Sequence, residues 1–275
     1  MKPVILFRAS LAEEDELEIA RKYFRVVKSR MDIKPDELVI PRYSALPYYE
    51  ELENDVEAVG GMLINSYNHH RYVAHLPYWY HSVSDFTPKT FFRFADADSD
   101  GTYPFVLKGT TNSRKNLWKT HMFASNKEEM EKVWENLLND SMIGEQEIVF
   151  REYEKFKSYG VAIGDLPITK EFRIFMYGDK VLARGFYWAS HPEVIEEHKP
   201  DTNEIPDELI NSISAAVKGH INFWVMDVAQ REDGVWRLVE LNDGQMSGLS
   251  CVNSDELYSN LAKVLDDEQN DLSNI

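Results

Sequence analysis

Three oxygen-bearing side chains stand out because they interrupt apolar runs. Asp227 lies inside "FWVMDVAQ" (223–230), while Glu240 and Asn242 close "VWRLVELN" (235–242). In a strand, residues i and i+2 share a face, so Glu240 and Asn242 are held side by side. The two runs flank Asp233-Gly234, a turn pair that predicts a hairpin and brings Asp227 alongside them. Two carboxylates and an amide, with no His or Cys, form a set of hard oxygen donors. Such a set suits magnesium or manganese, which complete their shells with water and substrate phosphate. The competing expectation is that each is an edge residue, solvated or paired with Lys or Arg. Three such residues embedded in apolar sequence favour the metal. Clustered carboxylates repel, so on this reading an amide at Asp227 or Glu240 leaves the ligand-free protein as stable or more so.

Phosphates need cations, and Lys108 ends the apolar run "PFVLK", a costly place for an amine without an anion. Lys115 and Lys119 follow in a loop rich in Thr, Asn and Ser, whose hydroxyls and amides suit phosphate oxygens; taken alone it reads as a surface turn. "VFREYEKF" offers a hinge at Glu152, Tyr153 and Glu154, with backbone groups for an adenine edge and Glu152 or Glu154 for ribose hydroxyls. Arg173, between Phe172 and Ile174, would stabilise transferred charge beside a metal–phosphate site, and Arg184 is a weaker case.

These groups must be positioned by an α/β chain. "KPVILF" (2–7) reads as a buried strand, and Ser10 and Glu13 have capping-box spacing ahead of a helix. "LVIP" (38–41), a helix around 48–59 and "MLINSY" (62–67) continue a small α/β lobe assigned to residues 1–95. From Tyr103 the order changes to a strand, the polar loop, and a helix capped by Ser125 and Glu128 with Met130, Val133, Trp134, Leu137 and Leu138 on one face. Strands at "EIVFREYEKF", "EFRIFMY" and "KVLARGFYW" follow, then a helix over 206–219, the hairpin, and a helix near 255–265. Residues 96–265 therefore form two α+β subdomains, and the acidic stretch 266–275 is expected to be a flexible tail.

Composition narrows the function classes. The chain of 275 residues has a formal net charge of −17, which disfavours a nucleic-acid partner and with it a nucleic-acid ligase. Cys251 is the sole cysteine, so intrachain disulfides and cysteine-rich zinc sites are excluded. No apolar run reaches the ~18–20 residues of a membrane span, and a cytoplasmic protein is expected.

In their order, the strand lysine, polar loop, acidic hinge, "EFR" and the Asp227, Glu240, Asn242 spacing resemble the ATP-grasp superfamily over about 100–265. With "PRYSALPYY", "FVLK", "LWKTHMF" and "ELNDGQMSG", the chain is similar to the divergent clade marked by one arginine and two lysines. That clade includes the eukaryotic cell-cycle protein that assists assembly of translation initiation factor two. The resemblance implies an ATP-grasp fold with an N-terminal pre-ATP-grasp lobe, and ATP with magnesium as cofactors. It makes Arg173 the clade arginine, Lys108 the first lysine and Lys119 the second, with Lys115 the rival for that role. Arg173 and Lys119 would then be catalytic, and Asp227, Glu240 and Asn242 would hold the metal. The implied activity is an ADP-forming carboxylate–amine ligase working through an acylphosphate, with a peptide or protein among its candidate substrates. Gln245, Ser247, Gly244 and Gly248 are candidates to line the acceptor site. The alternative is a non-catalytic ATP-binding assembly factor; the aromatics of "HLPYWYH" (75–81) would suit its contact surface, although core packing or an aromatic lobe interface is the stronger expectation for them.

Overall fold

The computed structural model describes residues 1–7 and 14–273; the Ser10–Glu13 capping box lies outside the described residues. The first lobe contains β1 (Lys2–Phe7), α1 (Glu14–Tyr23), β2 (Arg25–Val27), β3 (Glu37–Arg42), α2 (Tyr49–Ala58), β4 (Met62–Leu63), α3 (Tyr67–Ala74) and α4 (Leu76–Val83). Its strands pair in parallel in the order β2-β1-β3-β4, which requires the crossover helices that the alternating sequence provides. Parallel strands are covered on both faces, and β1 shows this: Val4 and Leu6 pack with Leu52 and Val56 of α2, while Ile5 and Phe7 pack with Leu17 and Ala20 of α1.

The second sheet, order β5-β8-β6-β7, uses β5 (Thr90–Phe91), β6 (Phe105–Gly109), β7 (Phe123–Ala124) and β8 (Ile148–Glu152). Because β5 pairs with β8, this sheet begins ahead of residue 95. Between its strands lie α5 (Phe94–Asp100), α6 (Trp118–His121) and α7 (Lys127–Leu138). The cap of α7 is one residue later than expected. Asn126 accepts from the Glu129 backbone amide, and the Glu129 carboxylate in turn accepts from both amide and hydroxyl of Ser125. Met130, Val133 and Leu137 of α7 are buried against Phe105, Leu107, Ile148 and Phe150. Strand alternation then turns Val106, Lys108 and Arg151 to the opposite face, where a cleft opens.

A short antiparallel pair, β9 (Ser158–Val161) and β10 (Pro167–Thr169), leads into the third sheet. That sheet runs β12-β11-β13-β14, from β11 (Glu171–Tyr177), β12 (Lys180–Phe186), β13 (Phe223–Gln230) and β14 (Trp236–Asp243). The elements α8 (Pro192–His198) and α9 (Asp207–Ala216) intervene, and α10 (Ser254–Ser273) closes the chain. One face of this sheet is apolar throughout: Phe172, Ile174, Trp224, Met226 and Val228 pack on Ile210 and Ile213 of α9. The other face is divided. Phe175, Phe223 and Val225 meet Leu257, Leu261 and Leu265 of α10, whereas further along the same strands the face carries Arg173 and Asp227.

One sequence expectation is changed by packing, and another is met. Residues 266–273, expected as a flexible tail, continue α10, and Tyr177 donates to Glu268 at 2.7 Å. The aromatic run 75–81 is largely core, as the stronger sequence expectation had it: Leu76, Trp79 and Tyr80 are buried, and Tyr78 and His81 are exposed. A buried polar node joins the first lobe to the third sheet. Asn65 donates to Asp243 (2.9 Å) and to the Phe223 carbonyl (2.6 Å), and His70 Nδ1 lies 3.0 Å from Asp243. Tyr49 stacks on the His70 ring with centroids 4.3 Å apart. Each buried polar group left without its partner there would cost roughly 1–3 kcal/mol, so the node holds the lobe in one position relative to β14.

Candidate active site

Arg173, Asp227 and Glu240 form one row across three strands. In the antiparallel register Arg173 is opposite Asp227, and Asp227 is opposite Glu240, so their side chains share a face. A β-bulge produces this arrangement. Asp227 pairs with Glu240 but Val228 pairs with Leu238, leaving Val239 as the extra residue. Leu238 can then enter the core with Val228 while Glu240, two positions on, turns to the opposite face; a regular strand would put both on one side. The bulge is pinned through its carbonyls, Thr87 donating to Leu238 (2.8 Å) and Arg151 to Val239 (2.8 Å).

Arg173 binds Asp227 through two parallel hydrogen bonds of 2.9 and 2.8 Å and donates to the Gly248 carbonyl at 2.7 Å. The loop carrying Gly248 then crosses β12 so closely that a Cβ on Gly185 would lie 2.4 Å from the Val252 nitrogen. Lys108 reaches across from the second sheet and ion-pairs with Glu240. Burial opposes the Glu240 charge, yet Lys108, Lys115 and Arg151 outweigh it and hold its carboxyl down at about 2. Asn242 lies on the same face, its amide nitrogen 3.3 Å from Asp227.

The cleft between the two sheets holds about 900 Å³ including its mouth. Lys108, Lys115, Arg151, Glu152, Tyr153, Glu154, Glu171 and Glu240 line it together with Trp118, Met122, Leu166 and Trp188. A slot with a mainly apolar exposed lining and charged side chains at its edges is the general form of a nucleotide pocket. A second, polar chamber adjoins it and shares Ser113, Lys115 and Glu240. Its other walls include Arg173, Tyr187, Asn242, Ser247 and Gly248, with Ser44, Leu46 and His70 from the first lobe. The polar loop is anchored rather than loose: Arg114 makes a bidentate pair with Asp140 (2.7 and 2.8 Å), and Thr111 donates twice to Gln146.

The structure therefore brings together Lys108, Lys115, Arg173, Asp227, Glu240 and Asn242, with Glu152, Tyr153 and Glu154 along the same cleft. It does not bring Lys119 there. Lys119 is 68% exposed and pairs with Asp165 outside both chambers. Lys115 is partly buried; its amine donates to the Tyr187 hydroxyl at 2.8 Å and lies 4.5 Å from that ring's centroid. Glu154 accepts from Arg237 at 3.1 Å, which leaves Glu152 the less committed of the two hinge carboxylates. Arg184 pairs with Asp207 at 2.8 Å, away from the row. Ser247 and Gly248 line the chamber, but Gln245 is buried at the node and donates to Asp243, and the Gly244 position packs on Phe223.

Two further buried charged residues line the cleft without a sequence signal like that of Asp227: Arg151 ends the apolar run of β8 beside Glu152, and Glu171 opens β11 after Lys170. Burial pushes the Glu171 carboxyl up from its ordinary 4.5 to about 7, against the pull of Lys115. The folded chain thus keeps this proton to higher pH than the unfolded chain does. Stability from Glu171 is fully present below about 4.5 and is lost as pH rises through about 7. Glu171→Gln should match the parent at pH 4 and exceed it by ~2–3 kcal/mol at pH 8. Melting curves across that range check this, and a gap that fails to widen with pH would assign the Glu171 proton elsewhere.

A family model described as "ATP-grasp domain, R2K clade family 3" matches residues 98–261. The chain belongs to this ATP-grasp family. Among solved structures it is similar to the D-cycloserine synthetase DcsG (11% identity, 96% of this chain and 99% of that one, TM-score 0.58). It is also similar to a RiPP-associated ATP-grasp ligase of Chryseobacterium gregarium, solved with ADP and a leader and core peptide (11%, 98% and 97%, 0.59). A third is the ATP-grasp ligase PsnB complexed with minimal precursor, Mg and ADP (11%, 95% and 97%, 0.55). At these identities the likeness is one of fold. No curated protein matches.

ATP and magnesium are the cofactors of an ATP-grasp protein, and the donor chemistry here fits the metal. Among the described residues no three His, Cys, Asp or Glu side chains gather into a metal-holding group. A site at the row would therefore draw on two carboxylates and the Asn242 oxygen and leave its other positions to phosphate and water, as magnesium prefers. No helix among the described residues is long and apolar enough to cross a membrane.

Proposed function

We propose that this protein is an ATP-dependent, ADP-forming carboxylate–amine ligase whose acceptor is a peptide or protein. The observation that carries the reading is the charged row at the junction of the two chambers, where five ionic groups (Lys108, Lys115, Arg173, Asp227, Glu240) meet between an apolar slot and a polar one. In the ligand-free site each acid already faces a protein cation, Asp227 facing Arg173 and Glu240 facing Lys108. Mg-ATP can exchange these partners: phosphate oxygens take the cations and magnesium takes the acids, with little net loss of pairing.

In this scheme the adenine lies in the apolar slot beside Tyr153 and Glu154, with Glu152 positioned for the ribose hydroxyls. Lys108 and Lys115 hold phosphate oxygens, and Asp227, Glu240 and Asn242 hold magnesium, which when bound neutralises charge on the β- and γ-phosphates. A substrate carboxylate in the polar chamber attacks the γ-phosphorus, and the bond to the ADP oxygen breaks. Arg173 stabilises charge on the phosphoryl group in flight. An amine nitrogen then attacks the acyl carbon, phosphate departs with the carbon–oxygen bond pair, and the amine loses a proton. Support for a peptide acceptor comes from the size and position of the second chamber, about 1250 Å³ including open solvent and walled partly by the first lobe. A complex of PsnB with a precursor peptide and the leader and core peptide complex of the Chryseobacterium ligase point the same way.

The distinguishing measurement is the nucleotide product. Incubation with ATP, magnesium and pooled amino acids and peptides should yield ADP and phosphate. AMP and pyrophosphate as main products would overturn the acylphosphate route. Mg-ATP at 100 times its dissociation constant should also stabilise the fold by roughly 2.7 kcal/mol. No shift in melting at millimolar Mg-ATP would remove the site itself.

A further inference from the structure

We infer that Tyr187 is a positioning residue that sets the two cations of the phosphate junction and so makes the site select for the terminal phosphate of ATP. The inference rests on the nucleotide-binding reading above. Three contacts converge on this one side chain. The Lys115 amine donates to its hydroxyl at 2.8 Å, the same amine lies 4.5 Å from its ring centroid, and the Arg173 guanidinium carbon lies 4.9 Å from that centroid. No acidic side chain forms an ion pair with Lys115 among the described residues, so its nearest anchor is an aromatic alcohol.

That choice of anchor has a physical consequence. A carboxylate in contact would compete with phosphate for the lysine, whereas a neutral ring and hydroxyl hold it in place with Glu171 and Glu240 acting on its charge only from beyond ion-pair distance. Tyr187 also follows β12 at the boundary: it lines the polar chamber, and its neighbour Trp188 lines the nucleotide slot, with Lys115 5.8 Å from the Trp188 centroid. Lys115 lines both chambers, as the group gripping the last phosphate must. Arg173 keeps its bonds to Asp227 and Gly248 without the ring, so removing Tyr187 frees Lys115 and leaves Arg173 without the face it rests on, at the junction of the two chambers.

The test is calorimetric affinity for ATP, ADP and AMP, each with magnesium, in the full-length chain. Tyr187→Leu should weaken ATP roughly tenfold and ADP roughly threefold while leaving AMP within about twofold. Tyr187→Phe, which keeps the ring and loses the hydroxyl, should recover about half of the lost binding free energy and stay about threefold below the parent in ATP affinity. A uniform loss across the three nucleotides would mark a merely structural role, and unchanged ATP affinity in both variants would show that Tyr187 positions nothing; either overturns the inference. If Tyr187→Leu does not fold, the ATP-to-ADP affinity ratio of Tyr187→Phe decides alone, a fall supporting the inference and an unchanged ratio ending it. A parent protein that binds no nucleotide would instead sink the underlying reading.

Discussion

Asp227→Asn is expected to lower the melting temperature of the ligand-free protein and, separately, to abolish most of the stabilisation that magnesium adds to ATP. The first effect follows from the bidentate pair with Arg173. Asp227 is 1% exposed, and neutralising it leaves a buried guanidinium without its counter-ion. Breaking such a pair costs roughly 3–5 kcal/mol, and retention of one amide oxygen brings the expected loss to ~2–3 kcal/mol, or ~5–10 °C in a chain this size. This reverses the expectation, drawn from carboxylate repulsion alone, that an amide here would be neutral or stabilising: the carboxylates are each neutralised by a cation before any metal arrives. The second effect concerns donor charge. Replacing an anionic oxygen by an amide removes most of the attraction for a hard divalent cation while preserving shape.

A double variant separates the two effects. Arg173→Met with Asp227→Asn removes both charges together, so it should regain much of the ligand-free stability without regaining the magnesium increment. Melting curves with ATP, with and without magnesium, on the parent, single and double variants supply the comparison. If the magnesium increment survives in the single variant, Asp227 is only the partner of Arg173 and the metal assignment falls.

The second large effect distinguishes two lysines four residues apart. Lys115→Met should weaken ATP binding by ~10–100-fold with or without magnesium, because it removes a charge-assisted contact worth roughly 1.5–3 kcal/mol from the junction of the chambers. Lys119→Met should stay within about threefold, since an exposed ion pair contributes roughly 0–1 kcal/mol and Lys119 meets Asp165 instead of the cleft. Calorimetry on both variants measures this directly. The opposite order would restore Lys119 to the role that the family resemblance assigned it, and would require the loop to rearrange when nucleotide binds.

The lysines show why part of the site was legible in the sequence and part was not. Lys108, Arg173 and Asp227 were readable because a charge inside an apolar strand is costly unless something uses it, and strand alternation fixes which face it takes. The hairpin at Asp233-Gly234 set β13 against β14 from turn chemistry alone, and β1, α7 and α9 followed from apolar periodicity. In a polar loop no periodicity operates. The choice between Lys115 and Lys119 therefore depended on tertiary contacts: Tyr187 holds one inward, and the β9–β10 connection holds the other outward through Asp165. The bulge at Val239 is of the same kind. An alternating pattern cannot announce an extra residue, yet that residue allows Leu238 to be core and Glu240 to face the cleft. The acidic end of the chain looked unable to bury itself, and by composition it was; packing against β11 and β12 by the preceding turns of α10 carries the helix on through it. Local rules thus determined which residues bear charge and on which strands. The third dimension decided which charges meet, because meeting depends on partners far away in the chain.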